Sequence, residues 1–224
     1  MDTQKIHSAD DVLTELLQRY PQLRSCRDGI VQAYLRLKET FVSGGKLLIA
    51  GNGGSAADSD HITGELTKSF RFKRRVDPAL VVGLRELYGD EGTELAGNLE
   101  GGLPAIPLPQ FAGANSAFSN DTEPRAAFAQ LVNALGREGD VLLGISTSGN
   151  SANIVNSLMV AKAKGLCAIA LTGVSGGRCR DIADICICVP EKETFKVQEL
   201  HLPVYHALCS MVEADLFEGT PRVS

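Results

Sequence analysis

Apolar positions near the start of the chain recur with the period of a helix. Leu13, Leu16, Leu17 and Tyr20 stand at i, i+3, i+4 and i+7, which puts one helical face against a core. Ser8 and Asp10 are the candidate caps at its start, and Pro21 ends it. Ile30, Tyr34, Leu37 and Phe41 predict a second helix, stopped by Gly44-Gly45. Residues 1–44 thus read as an N-terminal helical segment, and residues 45–218 as the main domain.

From Leu47 the pattern changes to short, wholly apolar runs. Leu47-Leu48-Ile49-Ala50 predicts a buried strand, followed by the turn Gly51-Asn52-Gly53-Gly54-Ser55 and a helix to about residue 69. Further strands are expected at 79–82, 141–145, 168–171 and 185–189. Helices are expected at 124–135, 152–164 and 194–217. Strands that are apolar throughout and alternate with helices predict an α/β fold with a parallel sheet covered on both faces. The stretch 83–120, rich in Gly and Pro, reads as an insertion with room for a short helix and one strand. Residues 219–224 read as a frayed end. Pro203 predicts a kink near 199–203, the alternative being a helix that begins near Leu202.

Composition narrows the function. The chain has 224 residues, 44% hydrophobic and 22% charged, with a formal net charge of −5. That charge argues against a general nucleic-acid binder, which carries a basic surplus. The basic run Lys68, Arg71, Lys73, Arg74, Arg75 therefore reads as solvated charge. Six cysteines show no zinc-type pairing, and no apolar run approaches the roughly 20 residues that span a bilayer. Together with a polar N-terminus, these features predict reduced thiols and a cytoplasmic location.

The strongest chemical signal is Ser146-Thr147-Ser148-Gly149-Asn150-Ser151, between a strand and a helix. A helix N-terminus offers unpaired N–H groups and partial positive charge to an anion. Four hydroxyls in six residues exceed what capping needs, so the loop is expected to bind phosphate. The loop at 51–56 also fits G-x-G-x-x-A, a dinucleotide motif. The acid that would hold a ribose about 20 residues on is replaced by Phe72-Lys73-Arg74-Arg75, leaving this the minority interpretation.

His61 and Glu65 stand i, i+4 on one helical face. Gln198 and His206 lie about 80° apart around another helix, close enough to converge. His201 points elsewhere and reads as structural. Glu65 as a base and His206 as an acid would suit proton transfer between adjacent sugar carbons. His61, Glu65, Gln198 and His206 are also a candidate divalent-metal set, with zinc the best match.

The loop at 51–55, the segment 61–67, the stretch 139–153, Leu171-Thr172-Gly173 and Gln198-Glu199-Leu200-His201 with His206 resemble the sugar isomerase (SIS) domain family, most closely its phosphoheptose isomerases. The resemblance implies a flavodoxin-like sheet, a homotetramer with active sites shared between subunits, and zinc in some members. It implies catalytic roles for Glu65 and His206. Phosphate contacts would come from Ser146, Thr147, Ser148 and Ser151, and sugar contacts from Asn52, Gly53, Ser55, Asp121 and Gln198. A non-catalytic relative that binds a replication initiator protein is the alternative from another class. The chain departs from the family pattern in Lys68-Ser69, where Gly-Arg is common, and in Phe195, where some members carry Asp.

Overall fold

The computed structural model describes residues 8–217, so the end read as frayed at 219–224 lies outside the described residues. Five parallel strands make up its sheet: β1 (Leu47–Gly51), β2 (Ala105–Pro107), β3 (Val141–Ser146), β4 (Cys167–Thr172) and β5 (Ile185–Cys188). Their order is β2-β1-β3-β4-β5, the flavodoxin-like arrangement.

Alternation explains why such apolar strands suit this sheet. In β1, Leu47 and Ile49 face one core, while Leu48 and Ala50 face the other. Each strand thus presents apolar side chains to two helical layers. The first layer comprises α1 (Ala9–Arg19), α2 (Arg27–Val42), α3 (Gly54–Thr67) and α9 (Thr194–Phe217). The second comprises α6 (Ala127–Leu135), α7 (Ala152–Ala163) and α8 (Gly177–Ile182). At the start of α1, the Ser8 hydroxyl accepts a hydrogen bond from the Asp11 N–H at 3.2 Å, as its position predicts. Both α1 and α2 pack on α9, so the N-terminal segment shares the main core.

One expectation is corrected. Residues 79–82 form no strand; they belong to the helix α4 (Pro78–Asn98). Asp77 caps that helix, accepting from the Ala79 N–H at 2.8 Å, and Pro78 occupies its first turn. The apolar content of Ala79-Leu80-Val81-Val82 suggested a strand, but this local start signal overrides it. The fifth strand is instead β2, inside the insertion; it pairs with β1 from Leu47↔Ala105 to Ile49↔Pro107. Pro107 is tolerated because β2 is an edge strand. A further helix, α5 (Ala112–Asp121), follows it. At Pro203 the helix α9 is continuous. The alternative start near Leu202 does not form, and Gln198 and His206 share one uninterrupted helix. No described helix is long and apolar enough to cross a membrane.

Candidate active site

The chain leaves β1 towards α3 in one layer and leaves the adjacent β3 towards α7 in the other. Ligands of such sheets bind where the strand order reverses, outside the C-terminal strand ends. The loops at 51–55 and 146–151 meet there, joined by a reciprocal amide pair. Asn52 Nδ2 donates to Asn153 Oδ1 at 3.0 Å, and Asn153 Nδ2 donates to Asn52 Oδ1 at 2.8 Å.

Glycine shapes both loops. Gly53 has φ +55°, and a Cβ on Gly51 would lie 2.3 Å from the Ser55 carbonyl oxygen. Gly149 has φ +68°, and a Cβ there would lie 2.0 Å from the Gly176 oxygen. The serine loop can therefore seat directly on the segment after β4.

Ser146 is buried, and its hydroxyl lies 3.0 Å from that of Ser151. Ser151 occupies the N-cap of α7, yet its side chain makes no capping bond. Ser148 Oγ accepts from the Asn150 N–H at 3.1 Å, holding the turn closed. Thr147, Ser148 and Asn150 line a cavity of about 290 Å³ with Gly173, Val174, Ser175, Glu191 and Lys192. The Thr147 and Ser148 hydroxyls and Lys192 suit an anion, with Glu191 on the same lining. Lys192 belongs to no motif; only the fold brings it here.

A second centre lies farther along α3 and α9. One oxygen of Glu65, Oε1, lies 3.1 Å from His61 Nε2 and 3.1 Å from His206 Nε2. Glu65 is buried, His206 is half-buried and His61 is open to solvent. Neither Glu65 Oε2 nor His206 Nε2 has a hydrogen bond of normal geometry. One donor atom from each of the three residues falls within 4.8 Å of the others.

Tyr205 organises this centre from below. Its hydroxyl lies 3.1 Å from His61 Nδ1 and donates to Asp58 Oδ1 at 3.2 Å. A protonated Nδ1 donating to Tyr205 leaves His61 Nε2 as a free base, the tautomer that a metal or acidic proton requires. Burial, and then the neighbouring Asp58 charge, hold the Tyr205 hydroxyl well above its ordinary pKa. Burial also raises the Asp58 carboxyl. Neither Tyr205 nor Asp58 was singled out in the sequence, although Asp58 falls one turn before His61.

The basic run needs a correction. Arg74 is fully buried, and its Nε donates to Glu213 Oε1 at 2.8 Å. The same guanidinium donates to the carbonyls of Leu66, at 2.6 Å, and Glu65, at 2.7 Å. Glu213 also accepts from the N–H groups of Phe70 and Arg71, both at 2.8 Å. Arg74 is thus a clamp on the C-terminal end of α3 rather than solvated charge. Carbonyls at a helix end need donors; the Leu103 N–H reaches that of Leu66 at 2.8 Å, and the planar fork of arginine reaches both.

Gln198 lies apart from the closest cluster. Its amide nitrogen rests against Gly54, where an added Cβ would meet it at 2.6 Å. The two helical turns to His206 amount to about 12 Å of rise. Asp121 ends α5, is exposed, and accepts a hydrogen bond from neighbouring Asn120 at 2.8 Å. His201 is fully buried with neither ring nitrogen hydrogen-bonded in normal geometry; burial lowers its pKa to about 4. Its structural role holds.

Comparison with known proteins agrees with this architecture. A family model described as the SIS domain matches residues 95–173. A phosphoheptose isomerase of Roseiflexus is 41% identical over 189 residues, covering 84% of this chain and 83% of that protein. One from Aneurinibacillus thermoaerophilus is 38% identical over 190 residues, covering 85% and 83%. The solved structure of the phosphoheptose isomerase GmhA from Neisseria gonorrhoeae superposes with a TM-score of 0.70 at 31% identity, covering 90% of this chain and 94% of that one. With the sheet order, the paired loops and the Glu65 centre all in place, the chain belongs to the phosphoheptose isomerase family of SIS-domain proteins.

Proposed function

We propose that the protein is a sugar-phosphate isomerase that interconverts the aldose and ketose forms of a seven-carbon sugar phosphate through an enediol. The observation that carries this reading is the single buried carboxylate oxygen of Glu65 held between two imidazoles. Glu65 removes a proton from the carbon beside the carbonyl, and His206 supplies or relays one to the sugar oxygen. The phosphate is held by Ser146, Thr147, Ser148 and Ser151 at the start of α7, with Lys192 as a further cation. Asn52, Gly53, Ser55, Asp121 and Gln198 contact the sugar.

His61, Glu65 and His206 fit zinc by donor type and spacing, and the unpartnered Glu65 Oε2 is consistent with a missing ligand. Gln198, seated against Gly54 about 12 Å along α9 from His206, stays outside this set within one chain. Bound there, zinc would polarise the sugar oxygens. The Tyr205 contact would hold His61 in the ligating tautomer with or without the ion.

Glu65 stands ten residues beyond Ser55 on α3, about 15 Å of helix rise. The seven bonds from C-2 of an extended heptose to its phosphorus span at most about 10 Å, at ~1.5 Å each. This gap supports sites shared between copies; the homotetramer is what the family resemblance implies. Six free cysteines support a cytoplasmic setting.

Calorimetry with a ketoheptose phosphate tests the phosphate loop. Ser148→Glu places a negative charge in it and should abolish measurable binding while circular dichroism stays native. Unchanged affinity would remove the loop from the site.

A further inference from the structure

Helix α4 is unlike the rest of the molecule. No other described helix or strand packs against it beyond marginal contact, and Leu80, Leu87, Tyr88 and Leu95 face solvent. Gly89, with φ +59°, breaks it into two halves. Gly92 approaches Leu84 so closely that an added Cβ would lie 2.0 Å from the Leu84 oxygen. Val81 and Val82 share a cavity wall with Thr93 and Ala96, so the halves fold back as a hairpin. Its tip is Glu86-Leu87-Tyr88-Gly89-Asp90-Glu91, with Leu87 74% and Tyr88 62% exposed.

At the base of the same hairpin lies an apolar cavity of about 530 Å³. Val76, Pro78, Val81, Val82, Ala96 and Leu99 line it, and Lys73 and Arg75 border it. Both cations are exposed, whereas Arg74 between them is locked to Glu213 and fixes the base. The tip therefore carries two large apolar side chains flanked by three carboxylates and, just before them, by Arg85, which leaves it net acidic. The base offers an apolar hollow flanked by Lys73 and Arg75, where the carboxylate of Asp77 is taken up by the Ala79 N–H and that of Glu100 by the Ser69 N–H.

A hairpin cannot bend its tip into its own base. Leu87 stands nine residues beyond Pro78, about 14 Å along the helix. Two copies related by a twofold axis, with their hairpins antiparallel, solve the problem for both at once. Each tip then meets the other's base in a self-complementary contact. We propose that α4 is an assembly arm whose Leu87–Tyr88 tip inserts into the Val76–Leu99 cavity of a second copy of this chain. Glu86, Asp90 and Glu91 then lie against the second copy's cations, and an aromatic anchor fills a desolvated pocket. Charge complementarity between tip and base selects a second copy as the occupant, because both halves of the match are encoded in one sequence. The contact is independent of the chemistry at Glu65 and goes beyond it.

A photo-reactive phenylalanine analogue in place of Tyr88, illuminated in the full chain, tests the arm. The expected product has twice the chain mass on a denaturing gel, with the cross-link mapping to residues 73–82 or 96–99. Lys73→Glu with Arg75→Glu should cut its yield about fivefold or more. Adding Glu86→Lys and Glu91→Lys to that chain should restore it, which a folding defect would not allow. Products of single-chain mass only, cross-links elsewhere, or a yield indifferent to charge reversal would overturn the proposal.

Discussion

The Glu65 centre and the α4 arm lie close in sequence but are built on opposite terms. Around Glu65, every element is packed. The α3 end is clamped by Arg74, Arg74 is satisfied by Glu213, and His61 is backed by Tyr205 and Asp58. In the arm, Leu80, Leu87, Tyr88 and Leu95 are exposed. One region spends its polar groups inward to fix a carboxylate, and the other leaves apolar groups outward. The difference teaches that the Glu65 cluster is held in position by its own chain, whereas the proposed arm finds its packing only against a second copy.

The contrast breaks first at Arg74. Replacing it with Met keeps the volume but leaves the Glu213 charge with only the Phe70 and Arg71 N–H groups, and takes the guanidinium from the Glu65 carbonyl, while the Leu66 carbonyl keeps the Leu103 N–H. Loss of one partner of a buried pair costs about 3–5 kcal/mol, measurable by urea unfolding. A loss below about 1 kcal/mol would show that water already reaches this pair.

His201 sharpens the same comparison through pH. Its folded pKa, about 4, lies below the ordinary histidine value near 6.5. The unfolded chain therefore binds the extra proton first as pH falls. The stability of the neutral, buried ring is fully present above about pH 6.5 and is lost towards pH 4. The difference amounts to ~3 kcal/mol. His201→Gln should flatten the stability profile across that window. Parallel profiles for the two proteins would mean that the ring is not neutral in the folded state.

At the arm the expected effect is the smallest. Leu80 is exposed and outside the α4 cavity, so Leu80→Ser should change unfolding stability by less than about 0.5 kcal/mol. A cost above 2 kcal/mol would mean that the arm is packed in solution by contacts the single chain lacks at this position.

Legibility followed the same divide. The strands at 47–50, 141–145, 168–171 and 185–189 could be read because a buried parallel strand is apolar on both faces. The serine loop could be read because hydroxyls and a glycine stood between a strand and a helix. His61 and Glu65 could be paired because helical spacing is local. Residues 79–82 were misread because four small and branched apolar residues look alike in a strand and in an exposed helix. Edge strand β2 was expected only as one strand somewhere within 83–120, because Pro107 and its shortness hide its exact place. Arg74 was misjudged because its partner, Glu213, is 139 residues away, and no local pattern announces a pairing over that distance. Lys192 and Tyr205 depend on the fold in the same way.

The central claim is that Glu65 is the base of a sugar-phosphate isomerase. Steady-state turnover of a ketoheptose phosphate to its aldose, compared between the native chain and Glu65→Gln, tests it most directly. Glutamine keeps the shape but cannot take a proton. General-base catalysis is worth about 10²- to 10⁴-fold, so kcat should fall by at least about 10²-fold with the fold intact. Turnover undiminished in Glu65→Gln, or absent from the native protein, would contradict the account.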